Sequence, residues 1–332
     1  MITPKFDLHV LKAFLAIMLI LATSTLNAQV REPKFTEDEK NWSEYNLTGW
    51  RFGINMGMYF ANKGSAQFYS GLPQNENNIA WVLNNYYWYQ EIRQELNSRD
   101  IIKGFDEVPP SWNGAYDQWR AIYNVPSGDT AQWWIYYPES MKYDAAISPG
   151  FYVKYNFNNT TGIFIQSNYV KLKTSGAFQL VIDSITGFSE PALRQAYIRG
   201  EEERINIDLG ISKFYRTGQM TSVFIETGFH FNSTEVLENR IQIGNKEYSI
   251  VNNYLNQNYV PNSNQTEYSV YQGGMGYGIF FNGGLKFILT ESISIDPGVQ
   301  LYWKKINLTG YEDFGMSYYT YIRMIFSLFG EM

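Results

Sequence analysis

The sequence predicts an all-β fold, an eight-stranded antiparallel transmembrane β-barrel with long extracellular loops, one of them partly helical. Apolar and polar residues alternate with a period of two in eight segments, which sorts them onto opposite faces of strands. Aromatic residues make up 17% of the 332 residues, and many end the apolar faces of these segments, as in the aromatic girdles of membrane barrels. The links between the segments alternate between short and long, which is typical of barrels with tight turns on one side.

The composition excludes several other classes of protein. Charged residues reach only 17% of the chain, whereas soluble domains carry about 25%. The absence of cysteine excludes disulfides, thiolate metal sites and cysteine nucleophiles. A net charge of −6 argues against a nucleic-acid-binding protein, which would carry a basic face. A multi-helix membrane protein is excluded because only one segment approaches a continuous apolar stretch.

That segment lies at the N-terminus and predicts a secretory signal peptide. Lys5 and Lys12 precede an apolar run from Ala13 to Ala22, and Ala28 is a small residue before a plausible cleavage site. A retained membrane anchor is the alternative, but the run is short for a span. We therefore expect residues 1–28 to be a signal peptide, 29–46 a periplasmic arm, and 47–332 the barrel.

The first strand is predicted over residues 48–60. Every even position from Trp50 to Phe60 is apolar, and the odd positions carry Arg51, glycines, Asn55 and Tyr59. The same period predicts strands over 145–157, 162–173, 204–215, 221–232, 277–289, 293–304 and 317–329. Segment 162–173 is the weakest of these, because its apolar residues fall on both faces.

A secreted β-sandwich is the alternative reading of this alternation. Its strands average about five or six residues, which is much shorter than the segments found here. The second faces of the segments also mix glycine with charge, as the inner faces of membrane barrels do. The transmembrane barrel is therefore favoured.

The lengths of the links predict the orientation of the barrel. Short links lie at Asn158–Thr161, Thr217–Gln219 and Thr290–Ser292, and mostly long ones at 61–144, 174–203, 233–276 and 309–316. Short turns usually face the periplasm and long loops the exterior. We therefore expect an outer-membrane protein with both termini in the periplasm.

Eight strands leave a lumen that side chains can fill, and buried charges persist only when they are paired. The strand directions predict the ion pairs Glu226–Arg323 and Lys286–Asp296. They also place Arg51 and Lys154 near the periplasmic mouth and Asp208, His230 and Lys304 near the outer one. A polar core that fixes the register is the favoured role of these groups, and a conduction path is the alternative.

His230, the single histidine of the predicted mature chain, is a candidate acid/base residue. It lies four positions after Glu226 on the same face, which allows such a pair geometrically. No nucleophile elbow or metalloprotease motif accompanies it, so a structural lumen histidine is favoured. We expect no catalytic residue, no cofactor and no metal site.

The first long loop is the most aromatic part of the chain and the predicted interaction surface. A helix is predicted within Asn78–Arg99. The aromatic side chains assigned to the surface are Trp81, Tyr86, Trp88, Trp112, Trp119, Trp133 and Trp134. They form either a compact cap on the barrel's own mouth or a binding face for a protein or glycan. A second loop segment, 240–251, predicts a hairpin around a Gly-Asn turn.

The signal ending Leu-Asn-Ala-Gln, the strand pattern and the C-terminal Tyr-Ile-Arg-Met-Ile-Phe-Ser-Leu-Phe resemble small outer-membrane β-barrels of Bacteroidota, of the OmpA-type eight-stranded architecture. PorG-like barrels of that group are partners of the type IX secretion and gliding machinery. Asp-Thr-Ala around Thr130 and Asp-Ser-Ile around Ser184 resemble the group's short O-glycosylation motif. The resemblance implies membership of a larger outer-membrane complex.

Together these features predict a non-enzymatic barrel that serves as an anchoring or accessory subunit of a secretion, assembly or transport complex. Its expected partners are outer-membrane lipid and other outer-membrane or cell-surface proteins, and not nucleic acid. The alternatives are a small transport or ligand-uptake barrel and a lipid-modifying enzyme at the outer rim. Co-purification of a partner in mild detergent would separate the first reading from the others.

Overall fold

The computed structural model describes most of the predicted barrel. The described residues are 48–75, 77–83, 92, 135–182, 192–218, 220–251, 253–254, 257–258, 272–290 and 293–327. The predicted signal peptide and periplasmic arm lie outside these ranges. None of the helices in the described ranges has the length and hydropathy needed to cross a membrane.

The described chain is built mainly from antiparallel strands. They are β1 (Gly49–Phe60), β2 (Ile135–Tyr136), β3 (Ala146–Asn156), β4 (Thr161–Ile182), β5 (Ala192–Arg216), β6 (Thr221–Ile243), β7 (Lys246–Ser249), β8 (Asn253–Tyr254), β9 (Gln257–Asn258), β10 (Gly273–Ile288), β11 (Ile293–Lys304) and β12 (Gly315–Ser327). The helical elements are α1 (Lys63–Ala66), a 3-10 turn (Gln67–Ser70) and α2 (Ile79–Leu83). The predicted all-β antiparallel fold is confirmed.

The long strands pair into a closed ring. The order β10–β11–β12–β1–β3–β4–β5–β6 is closed by pairing of β6 with β10. At the seam between the first and last long strands, Arg51 lies opposite Ser327 and Phe60 opposite Tyr318. A closed sheet leaves no unpaired edge within the ring, which is the condition for placing strands in lipid.

The two faces of β1 show how the sequence pattern fills this ring. Trp50, Ile54 and Met56 point outward and are 52%, 52% and 63% exposed, whereas Arg51 and Asn55 point inward and are buried. Because successive side chains of a strand face opposite sides, the even-numbered apolar residues form part of an outer belt. The odd-numbered polar side chains Arg51 and Asn55 face the lumen.

The connections at one end of the barrel, here called the short-turn end, are tight as predicted. Asn158 closes the link between β3 and β4, where its Oδ1 accepts hydrogen bonds from the backbone N–H of Thr160 at 2.9 Å and of Thr161 at 2.8 Å. At the β10–β11 link, the backbone N–H of Ile293 donates to Thr290 Oγ1 at 3.1 Å. Such side-chain contacts fix turns of this kind.

The prediction of long loops over 174–203 and 233–276 is wrong for most of the described residues. Strand β4 continues to Ile182, β5 already begins at Ala192, and β6 extends to Ile243. One side of the barrel is therefore much taller than the other. We call residues 170–180, 193–204 and 234–243 the projecting wall.

The reason is an inversion of the alternation within a continuous strand. In the lower part of β4, Ile163 and Ile165 face outward and Gln166 inward. In the upper part, Leu172 and Phe178 are buried on the inward face, and Lys171 and Lys173 are on the outward face. The strand keeps its geometry while its apolar residues change sides.

Strand β6 also contains a local irregularity and ends in a hairpin. Its register with β5 shifts between Glu201 and Glu202, so that Glu201 lies opposite Glu238 and Glu202 opposite Val236. Beyond this bulge β6 pairs with β7 around a turn in which Gly244 has a φ of 61°. The hairpin predicted over 240–251 is confirmed.

The described part of the first long loop folds over the mouth of the ring. We call residues 61–75, 77–83, 92 and 135–145 the cap. Its apolar side chains pack against the inner face of the projecting wall, and this core comprises Ala66, Phe68, Tyr69, Ile79, Val82, Leu83, Ile92, Ile135, Met141, Phe178, Leu180, Ala196, Ile198, Val236, Ile241, Ile243, Tyr248, Ile250, Val251, Ile306 and Leu308. Tyr69 reaches the wall at Gly200, where a Cβ atom would lie 2.1 Å from its ring. Of the helix predicted within Asn78–Arg99, the structure describes α2 and Ile92.

Candidate functional site: a capped polar lumen

The lumen of the ring is lined by polar and charged side chains that are almost completely buried. Their exposed fractions are all 6% or less for Arg51, Asn55, Lys154, Gln166, Asn168, Asn206, Asp208, Glu226, His230, Asn282, Lys286, Asp296, Gln300, Lys304 and Arg323. Burial of a charge is costly unless it is paired and hydrogen-bonded. The arrangement of partners therefore determines what this lumen can do.

At mid-height the lumen holds an ion pair between β6 and β12. Glu226 Oε1 lies 3.1 Å from Arg323 Nη2, and Glu226 Oε2 accepts from Arg323 Nη1 at 3.2 Å. Both side chains are fully buried. The strand directions in the sequence predict this pair. Two parallel hydrogen bonds between a carboxylate and a guanidinium are the strong form of this contact.

Further side chains complete the coordination of this pair. The hydroxyl of Tyr152 donates to Glu226 Oε1 at 2.6 Å, and Asn282 Nδ2 donates to Glu226 Oε2 at 2.6 Å. The Arg323 guanidinium lies 3.7 Å from the centroid of the Tyr152 ring. Each carboxylate oxygen thus accepts two hydrogen bonds, which offsets its loss of hydration.

A second cluster lies closer to the cap, where Asp208, His230 and Lys304 form a chain of contacts. His230 Nδ1 is 2.6 Å from Asp208 Oδ1, and His230 Nε2 is 3.0 Å from Lys304 Nζ. Because a lysine ammonium can only donate, Nε2 accepts and Nδ1 carries the proton. Lys304 also donates to Asn206 Oδ1 at 2.7 Å. The sequence analysis predicts Asp208, His230 and Lys304 near the outer mouth of the barrel.

Two glutamines connect the clusters into one network. Gln300 Nε2 donates to Asp208 Oδ2 at 2.9 Å, and Gln300 Oε1 accepts from Gln166 Nε2 at 3.3 Å. Gln166 Oε1 in turn accepts from Arg323 Nη1 at 3.3 Å. Side chains of β4, β5, β6, β11 and β12 are therefore joined across the lumen, which fixes the strand register from inside. Nothing in the sequence pattern singled out these glutamines.

A third ion pair closes the lumen beneath the cap. Glu202 and Arg204, two residues apart on β5, are both fully buried and in contact. The hydroxyls of Tyr69 and Tyr143 donate to Glu202 Oε2 at 2.7 and 3.0 Å. Burial and the neighbouring Glu202 carboxylate raise the pKa of both tyrosines well above the ordinary value. The cap is thus tied to the wall by neutral phenols on a buried carboxylate.

The contact predicted between Lys286 and Asp296 is not formed. Neither oxygen of Asp296 accepts a hydrogen bond from the described residues. Instead, Asp296 lies opposite Arg323 in the β11–β12 register, with Oδ2 3.7 Å from Arg323 Nη2. Lys286 Nζ lies 5.4 Å from the centroid of the Phe214 ring. The prediction is wrong because a neighbouring strand offers Asp296 a guanidinium.

The candidate acid/base residues Glu226 and His230 have separate sets of partners. Glu226 is hydrogen-bonded to Arg323, Tyr152 and Asn282, whereas His230 contacts Asp208 and Lys304. Glu226 and His230 are each 0% exposed. Their present arrangement therefore holds the lumen together and offers no open reactive face.

Most of the predicted interaction surface lies outside the described residues. This applies to Tyr86, Trp88, Trp112, Trp119, Trp133 and Trp134 and to both glycosylation candidates, Thr130 and Ser184. Trp81 belongs to α2 by its backbone. The described cap shows that at least part of the aromatic loop packs on the barrel's own mouth.

The outward face of the projecting wall carries a lattice of ion pairs. Glu201 lies 2.9 Å from Lys171 and 2.8 Å from Lys173, and Arg199 pairs with Glu238 at 2.7 Å and with Glu247 at 3.0 Å. These contacts occupy the same outward face that carries apolar residues lower in the strands. The boundary between the two patterns marks where the apolar belt ends.

No family model matches the chain, and no curated protein matches it. Among solved structures, it is similar to the neisserial surface protein A, with 7% identity, a TM-score of 0.35, and coverage of 83% of this chain and 95% of the other. For Ail, the attachment invasion locus protein of Yersinia pestis, the corresponding values are 9%, 0.30, 84% and 98%. For OprG of Pseudomonas aeruginosa they are 9%, 0.34, 84% and 96%. The fold described above stands on the strand pairing of the chain itself.

Proposed function

We propose that this protein is a non-conducting, non-enzymatic barrel of the outer membrane that anchors or supports a larger complex through its projecting wall and cap. The observation that carries the proposal is the contrast between a lumen closed by its own side chains and a structured surface raised above one rim. A barrel of this design holds other molecules on its surface rather than passing them through.

The contacts across the lumen support the absence of conduction. The network from Lys304 through Asp208, Gln300 and Arg323 to Glu226 crosses the ring with hydrogen bonds between 2.6 and 3.3 Å. Above it, the cap is fixed by Tyr69 on Glu202. An ion would have to displace buried charge pairs to pass, and breaking such a pair costs several kcal/mol, about 3–5.

The projecting wall supports an anchoring role. Its three strands continue well beyond the apolar belt, and the cap core packs against their inner face. The outward surface of the wall combines the ion-pair lattice with exposed Leu193 and Tyr197, which are 51% and 52% exposed. Tyr136 of the cap is 61% exposed and lies beside the wall, opposite Gln179 of β4. Aromatic anchors surrounded by polar groups are typical of protein interaction surfaces.

The experiment is affinity purification of the full chain from its native membrane in mild detergent, after chemical crosslinking. We expect defined membrane or surface proteins to co-purify, and their yield to fall at least severalfold in a Tyr197→Glu variant. A matched control is Met275→Glu, which alters an exposed side chain on β10, a strand that does not belong to the projecting wall.

Conductance in planar bilayers tests the other half of the proposal. We expect the purified chain to give no steady channel events. Regular unitary conductance would favour the transport alternative, and a barrel that migrates alone after crosslinking would refute the anchoring role.

A further inference from the structure

Among the described residues, the lower half of the lumen, between the mid-height ion pair and the short-turn end, contains more positively than negatively charged side chains. The cations are Arg51, Lys154, Lys286 and Arg323, and the anions are Glu226 and Asp296, all of them 6% exposed or less. Higher in the lumen the charges of the described side chains balance, since Asp208 accompanies Lys304 and Glu202 accompanies Arg204. Within the described part of the chain, the surplus of positive charge is therefore confined to the lower half of the lumen.

The two carboxylates of this region are already directed to Arg323. Glu226 forms the two-pronged contact, and Asp296 lies 3.7 Å from Arg323 Nη2. This leaves the two lysines without a carboxylate in ion-pair distance among the described residues. Lys154 Nζ is buried and has no hydrogen-bond partner in the described chain.

Both lysines converge on one aromatic ring. Lys154 Nζ lies 3.5 Å and Lys286 Nζ 5.4 Å from the centroid of Phe214. The ring face compensates part of the lost hydration, by about 0.5–2 kcal/mol, which is much less than burying an ammonium costs. Two cations on one ring also repel each other. A negative charge between them would remove both penalties.

The surrounding backbone positions these donors together. Arg51 on β1 lies directly opposite Lys154 on β3, and Lys154 passes Gly162, where a Cβ atom would lie 2.9 Å from its Cε. Ser294 on β11 adds a buried hydroxyl with no hydrogen-bond partner among the described residues. Guanidinium, ammonium and hydroxyl groups all donate hydrogen bonds, which is the chemistry that recognises an anion.

We propose that the short-turn end of the lumen binds a small inorganic anion, held by Lys154 and Lys286 against Phe214 with Arg51 at its entrance. The anion neutralises the surplus charge and stabilises the lower barrel. This inference does not depend on the proposed anchoring role, because it concerns the interior of the barrel rather than its outer surface.

The direct test is crystallography of the full chain grown in bromide, using the anomalous signal of that ion. We expect a bromide peak in direct contact with Lys154 Nζ, as in a charge-assisted hydrogen bond. Absence of a peak anywhere in the lower lumen at saturating bromide would overturn a halide site. Phosphate is the second probe, and its own density at the same place would identify an oxyanion site instead.

A solution test measures the thermal unfolding midpoint of the barrel in detergent at constant ionic strength. We expect chloride or phosphate to raise the midpoint by several degrees relative to gluconate, which is too large to enter. Lys154→Met should abolish this shift and leave the gluconate midpoint unchanged or higher, because it removes surplus charge.

The matched control is Lys304→Met, which removes a buried lysine that has partners at 2.7 and 3.0 Å. It should lower the midpoint in every salt while keeping the anion-dependent shift. If the wild type shows the same midpoint in all salts, or if Lys154→Met keeps the full shift, the site does not exist.

Discussion

The lumen and the projecting wall share strands β4, β5 and β6, yet their interiors are opposite in character. Inward residues of β4 and β5 are Gln166 and Asp208 in the lumen, but Phe178 and Ile198 in the wall. The outward residues change in the reverse sense, from isoleucine to lysine and arginine. The environment outside the sheet, and not the strand, decides which face is apolar.

The physical reason lies in which surface must avoid water. In the lower region lipid covers the outer face, so apolar side chains belong there and the narrow interior can be held by hydrogen bonds. In the wall the outer face meets water, so the apolar side chains must turn inward and need the cap to cover them. The cap is thus required by the wall, because an uncovered wall would expose its core.

Removing one charge of the mid-height ion pair should cause the largest loss of stability. Arg323→Met leaves Glu226 buried beside Asp296 without a guanidinium, which should lower the free energy of unfolding by about 3–5 kcal/mol. Urea unfolding of the barrel in detergent, followed by circular dichroism, measures this. Adding Glu226→Leu should restore much of the loss. A single variant of near-wild-type stability would show that water already reaches the pair.

Removing an apolar side chain from the wall should loosen the cap while the ring remains intact. Phe178→Ala creates a cavity under the cap worth about 3 kcal/mol. Hydrogen exchange should accelerate in α1 and in the 3-10 turn and stay slow in β1. Tyr197→Ala, a change to an exposed side chain of the same wall, is the control and should alter neither. Equal acceleration in β1 would mean that cap and ring unfold together.

A charge placed on the outer face should discriminate between the two regions. Leu209→Arg puts a guanidinium into the apolar belt and should cost about 2 kcal/mol. Gln179→Arg, at an outward position of the wall, should cost less than about 0.5 kcal/mol. Folding into liposomes followed by urea titration compares them. Similar costs would place the upper boundary of the belt above Gln179.

The smallest effect is expected at the outer ion-pair lattice. Lys173 and Lys171 lower the pKa of Glu201, so its contribution is present above the unfolded value of about 4.3 and is lost as the pH falls through the lowered value. Glu201→Gln should therefore cost about 1 kcal/mol or less at pH 7, and the difference from the wild type should shrink as the pH falls below the unfolded value and vanish below the lowered pKa. A difference that persists there would point to packing rather than charge.

The sequence allowed the lower barrel to be predicted because one face of each strand stayed apolar throughout. The segment over 162–173 looked weak for a reason the structure supplies, since the alternation inverts between Tyr169 and Val170. A prediction that expects the same face of a strand to stay apolar ends the strand at this inversion. The sequence pattern consequently predicts loops where the structure has the upper halves of β4, β5 and β6.

Predicting ion pairs from the sequence has a limit of its own, because strand direction gives the height of a residue but does not choose among partners. Glu226 and Arg323 could be matched from strand direction and height alone. Lys286 and Asp296 satisfy the same rule, but the rule does not rank competing partners, and Arg323 is the nearer cation. The cap core could not be predicted either, because it joins Tyr69 to Glu202 across a separation that no periodicity reveals.

The seam between β1 and β12 has a consequence for how the chain is assembled. Arg51 finds its partner Ser327 only when nearly the whole chain is available, whereas β4, β5 and β6 pair with their immediate neighbours. Contacts between distant parts of a chain form slowly. The tall side of the barrel can therefore form first as an open sheet with the cap at its face, and closure waits for the last strand to arrive.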